Sequence, residues 1–71
     1  MSNHVYGVTE VAGSSDKSID DAISNAVQTA AGTLRNLEWF QVSELRGHIK
    51  DGRVGHFQVM LKLGFRYERR S

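Results

Sequence analysis

From Phe57 through Val59, Leu61, Leu63, Phe65 and Tyr67, apolar side chains fall on odd positions, while His56, Gln58, Lys62, Arg66 and Glu68 share the even positions with Met60 and Gly64. A two-residue period is that of a strand with one apolar face. Upstream, Ile19, Ala22, Ile23, Ala26, Val27, Ala30, Leu34 and Leu37 follow the i, i+3, i+4, i+7 spacing of an amphipathic helix. Ser18 is placed to cap that helix, and Asp20 and Asp21 fall in its first turn, where the helix dipole favours negative charge. The pattern carries the helix to Asn36 or just beyond, with Gly32 relaxing it at a cost of about 1 kcal/mol relative to alanine. The alanines on the stripe let the helix lie close to a sheet.

Two further strands complete the pattern. Residues 5–11 mix β-branched and aromatic side chains, with Val5, Gly7, Thr9 and Val11 on one face and His4, Tyr6, Val8 and Glu10 on the other. Residues 12–17 read as a polar loop. After the helix, Phe40 and Val42 are apolar on even positions, whereas Leu45 and Ile49 are apolar on odd ones. The alternation slips at Ser43-Glu44, which predicts a β-bulge or a strong bend. Beyond the slip, Glu44, Arg46 and His48 are candidates for one polar face. Lys50-Asp51-Gly52-Arg53 predicts a hairpin, because Asp-Gly supplies the positive φ angles of a type I′ turn. The expected fold is α+β, a single domain over residues 1–71 of order β-α-β-β, with a three-stranded antiparallel sheet wrapped on one helix. The sheet face turned away from the helix, with Tyr6, Val8 and Met60 on it, would be uncovered, and that predicts self-association.

Composition sharpens the expectation. A domain of 71 residues rarely draws more than about 3–5 kcal/mol from its core, so oligomerisation is the stabilising device left to it. The absence of cysteine removes disulfides and thiolate metal sites and fits a reducing compartment. A net charge of +1 argues against a protein built to hold a nucleic-acid backbone, although Arg66-Tyr67-Glu68-Arg69-Arg70 is locally basic. No apolar run approaches the ~20 residues of a membrane span, and the first residues lack a basic stretch followed by an apolar one. A cytoplasmic protein is expected.

Catalytic templates are missing: there is no cysteine nucleophile, Gly-x-Ser-x-Gly, His-Glu-x-x-His or phosphate loop, so no enzyme and no catalytic residue is expected. His48 and His56 face each other across the hairpin. Two imidazoles without carboxylate or thiolate support read as hydrogen-bonding interface residues rather than as a metal site. Trp39, the only tryptophan, stands where helix gives way to strand. It is either a packing anchor or a stacking platform. Phe40 is expected to fill the core, which turns Trp39 the opposite way, towards a cavity or another subunit. The Gln58 amide offers a donor and an acceptor to the edge of a flavin or nucleobase, or is simply solvated. Arg46 suits a phosphate, or a carboxylate such as Glu10, Glu44 or one on another subunit. A rival reading is a small nucleic-acid or protein interaction module that uses Trp39 and the basic C-terminal tail.

The runs Leu37-Glu38-Trp39-Phe40-Gln41-Val42, Arg46-Gly47-His48-Ile49, Val54-Gly55-His56-Phe57-Gln58-Val59 and Lys62-Leu63-Gly64-Phe65-Arg66 together resemble the dodecins, small flavin-binding proteins. The likeness extends over residues 5–13 and the alanine-rich helix. It implies a β-α-β-β protomer assembled into a hollow homo-dodecamer, with flavins paired between symmetry-related tryptophans and a glutamine bonded to the ring edge. Those roles carry over to Trp39 and Gln58, and Arg46 matches an arginine near the flavin site of bacterial members. The similarity of residues 39–49 to bacterial dodecins implies FMN as the ligand, where archaeal members take riboflavin, and some bacterial members also bind coenzyme A. The function implied is flavin storage, sequestration and photoprotection.

Overall fold

The computed structural model describes residues 3–68. The basic tail residues Arg69 and Arg70 lie outside it. Four elements follow in order: β1 (Tyr6–Ser15), α1 (Ile19–Ala31), β2 (Leu37–Lys50) and β3 (Arg53–Arg66). They form one antiparallel sheet of order β1-β3-β2. Both outer strands run antiparallel to β3, so α1 carries the chain back along the sheet before β2 begins.

The helix starts as its sequence dictates. Ser18 caps it by accepting a 3.0 Å bond from the Asp21 amide, and Asp20 and Asp21 occupy the first turn. One turn earlier, Ser15 is buried; its hydroxyl donates to Asp21 Oδ2 at 2.7 Å and accepts from the Lys17 amide at 2.9 Å. The helix ends sooner than its apolar pattern suggests, at Ala31 rather than near Asn36. At Gly32-Thr33 the backbone tightens, with Gly32 N–H donating to Thr29 O and Thr33 N–H to Ala30 O, both at 3.1 Å. Leu34 and Leu37 still pack on the core, but from non-helical backbone. Asn36 then reverses the chain with φ +64°, a conformation asparagine tolerates.

The core lies between α1 and the odd-numbered face of β3, where Val59, Leu61 and Leu63 are fully buried against Ala22, Ala26 and Ala30. Val11, Ile23, Val27, Leu34 and Leu37 close its margins, while Ile19 stays 37% exposed. The strand expected to end at Val11 runs on to Ser15: Ala12, Gly13, Ser14 and Ser15 pair with Met60, Val59, Gln58 and Phe57. Gly13 and Ser15 face the helix and are small because it lies close, while Ala12 and Ser14 face the other way and are exposed. A Cβ on Gly13 would overlap the Ala22 carbonyl oxygen and lie 2.8 Å from Ala26 Cβ.

The Asp-Gly hairpin is confirmed, with φ +54° at Asp51 and +74° at Gly52. Beyond the last β1 pair at Phe57, β2 and β3 continue as a two-stranded ribbon, which gives the protomer extents of 57 × 20 × 15 Å. The helix packs on β1 and β3. Phe40, expected to fill the core, is instead 51% exposed, although it pairs with Leu63 and so lies on the helix side of the sheet. Val42, Leu45 and Ile49 share that side and are exposed as well.

Gly13→Ala is expected to push α1 off the sheet and lower stability by about 1–3 kcal/mol, because a backbone carbonyl cannot yield as a side chain can. A urea titration should show a lower midpoint with an unchanged slope.

Candidate functional site

The site residues are placed by three offsets in strand pairing. Arg66 N–H donates to Asn36 O at 3.0 Å and the Asn36 amide returns a bond to Arg66 O at 3.2 Å, which fixes where β2 starts against β3. Leu37 then pairs with Phe65 and Trp39 with Gly64, so Glu38 is an extra residue. This first bulge turns Leu37 towards the helix and Trp39 away from it. The second offset, between Val42 and Glu44, lies at the slip expected at Ser43-Glu44. It keeps Phe40, Val42 and Leu45 on the helix side and puts Trp39, Gln41, Glu44, Arg46 and His48 together on the open face. The third, between His48 and Ile49, leaves Gly55 as the extra residue on β3.

The open face therefore carries all three residues singled out in the sequence. Trp39 is 42% exposed, and its indole lies over Gly64 so closely that a Cβ there would overlap Cε2, Cζ2 and Nε1 of the ring. Arg46 and Gln58 are direct cross-strand partners. Arg46 Nη2 sits 3.5 Å from Glu44 Oε1, an ion pair more than half exposed and so of small stabilising value. Gln58 is half-buried, and among the described residues no partner within the protomer engages its amide. Beside this pair, His48 and His56 stack with ring centroids 4.3 Å apart and planes at 24°. No cluster of three or more His, Cys, Asp or Glu side chains able to hold a metal occurs among the described residues.

Trp39 and the Arg46–Gln58 pair are not brought together within one protomer. Gly64 and Gln58 are six residues apart on β3, about 20 Å at roughly 3.3 Å per residue. The two ends are thus separate stations along the open face of one protomer.

Sequence reasoning placed Gly64 on the open face without giving it a role. The signal that could have found it is a glycine inside a strong strand, which marks the close approach of another group. Glu38 was missed too: it forms a 3.6 Å ion pair with Arg66 Nε next to the indole.

The three comparisons with known proteins converge. The Dodecin family model matches residues 5–68. A dodecin of Thermus thermophilus is 44% identical over 64 residues, which cover 90% of this chain and 93% of the relative. The solved structure of dodecin from Streptomyces coelicolor is 57% identical and superposes with a TM-score of 0.91 over 99% of this chain and 100% of its own. Dodecin from Streptomyces davaonensis is 47% identical, with a TM-score of 0.90 over 96% and 100%.

Deleting Ser43 lets Val42 and Glu44 pair with Leu61 and Met60 as regular neighbours, so the bulge is lost while Trp39 keeps its face. The expected result is a urea transition that stays cooperative, with its midpoint lowered by loss of the local bend. Ser43→Ala keeps the extra residue and removes only the hydroxyl, which lies 3.0 Å from Glu10 Oε2 and 3.2 Å from Met60 O; its expected cost in the same titration is less than about 1 kcal/mol.

Proposed function

The chain belongs to the dodecin family, and from that premise we propose that it stores and sequesters a flavin, FMN in particular, between protomers of a homo-dodecamer. A flavin-binding function of the dodecin kind follows in general from family and fold. The finer reading is carried by one observation: the Trp39 indole is backed by Gly64 on one side and shares the open sheet face with a Gln58 amide some six residues distant. Such a surface fits a planar aromatic ligand. The indole supplies a stacking plane, Gln58 can give and accept a hydrogen bond at a ring edge, and Arg46 beside it suits a phosphate.

The bound flavin would supply a chromophore whose excited state the stacked indole quenches by electron donation, which limits photochemistry. Every other task falls to the protein. Trp39 holds the ring plane, Gln58 sets its orientation, and enclosure between protomers keeps solvent from it. Glu38, the carboxylate that precedes Trp39 in the chain, is engaged in an ion pair with Arg66; storage rather than turnover is the proposed role, and the cytoplasm the proposed location. No helix among the described residues is long and apolar enough to cross a membrane.

Assembly is proposed on separate grounds. Phe40, Val42, Leu45, Ile49 and Val54 are all exposed large apolar residues of the β2–β3 hairpin. A contiguous apolar surface of this kind is the mark of an interface. The proposed placement of the flavin between protomers makes the same demand.

Titration of FMN fluorescence with purified protein tests the ligand. Quenching at micromolar protein is expected, and unchanged emission would remove the flavin assignment. Trp39→Ala should weaken binding by about 1–3 kcal/mol, and Gln58→Ala by about 0.5–1.5 kcal/mol. Riboflavin and coenzyme A, run in parallel, establish whether either is also a ligand. Light scattering at neutral pH should give a mass near twelve times the 7.9 kDa of one chain, and a monomer would contradict the assembly.

A further inference from the structure

We infer that Gly64 is a positioning residue of the ligand site, which lets the Trp39 indole lie face-down on the sheet and so makes it a platform with a single usable side. The inference rests on the flavin-stacking reading above. Its geometric part concerns only this chain.

Gly64 lies in the row that runs across the sheet from Val8 on β1 to Trp39 on β2. This row belongs to the open face, yet Gly64 is buried. The covering group is the indole. Of the ring atoms near the position a Gly64 Cβ would take, Cε2 is closest, and its bonded neighbours Cζ2 and Nε1 come next. Cε2 is a ring-fusion carbon recessed between those two atoms. An approach in the plane of the ring would meet the outer atoms at least as soon, so the Cβ direction points into the flat face of the indole. The ring is therefore laid on the backbone of β3.

Two consequences follow from this seat. One face of the indole is withdrawn from solvent and from any ligand, so each protomer offers one aromatic surface, and a second platform must come from another protomer. The height of the ring above the sheet is also fixed by the absence of a side chain. Adding even a methyl group would have to lift the indole by about 1.5 Å or more to reach ordinary carbon–carbon separations. In a stack bounded by two such platforms, that lift narrows the space left for planar ligands from both ends. The glycine near the end of β3 thus has a reason beyond packing.

Gly64→Ala, made in the full chain, tests the inference through the sole tryptophan as well as through the ligand. Far-ultraviolet dichroism and light-scattering mass are expected to match wild type. Acrylamide quenching of Trp39 emission in the ligand-free protein should rise about twofold as the second ring face opens, and the FMN dissociation constant should rise about tenfold as stacking is lost. Trp39→Phe should then weaken FMN binding less in the Gly64→Ala background than in wild type, because the two positions are coupled. Wild-type quenching in Gly64→Ala overturns the seat, and raised quenching with unchanged FMN affinity overturns its role in the ligand site. If wild type itself binds no FMN, the flavin reading falls, and with it the positioning role, while the acrylamide measurement still decides the seat. Should Gly64→Ala fail to assemble, the near-ultraviolet dichroism of wild type decides: a held indole gives strong bands, and their absence overturns the inference.

Discussion

A thirteen-residue helix is about 20 Å long, whereas the fourteen-residue strands β2 and β3 each extend about 46 Å. That mismatch governs the molecule. One helix can cover the middle of a strand of this length but not the hairpin that projects beyond it. The helix is spent on β1 and β3, where alanine and glycine bring backbones close, and the apolar side of β2 is left bare. Val59, Leu61 and Leu63 form a core that is compact but small. Phe40, Val42, Leu45, Ile49 and Val54 are directed outward, where the proposed assembly would cover them.

The Trp39 end of the sheet depends on the same economy of side chains. Asn36 leaves the helix layer with a positive φ and is held at both its backbone and its amide by Arg66. The extra residue Glu38 then turns the next side chain over. Trp39 lands on Gly64, which has no Cβ to resist it. Pin, bulge and seat lie within a few residues of one another, so the aromatic plane is set by rigid backbone rather than by side-chain packing. A platform held in this way needs little reordering when a ligand arrives.

Much of this could be read from the residues. Alternation on β3, the Ser18 cap, the Asp-Gly turn and the slip at Ser43 each have a local physical cause, and each is where it was expected. The misreadings share a different origin. Gly13 and Ser15 help give residues 12–15 the composition of a loop because a helix lies against their face of the strand, a tertiary fact. The apolar spacing of Leu34 and Leu37 suits a helix, but the backbone leaves the helix while both side chains stay in the core. Phe40 faces the expected side and finds no helix there. For the site, Trp39, Gln58 and Arg46 were brought onto one face as anticipated, and the role of Gly64 emerged only from the ring that covers it. Pattern gives the direction of a side chain; what it meets depends on how far the covering element reaches.

The bulge at Ser43 has one more meaning. It divides β2 into two reading frames for the same instruction. Before it, even positions face the helix side and odd positions the open side; after it, the assignment is exchanged, and the sheet surface continues without a seam. One strand can therefore turn the Trp39 indole to the open face at one end and Arg46, opposite Gln58 of β3, to the same face at the other, each written in its own frame. Substitutions on this strand act according to frame as much as chemistry: an apolar residue that is inward at position 42 would be outward at position 44.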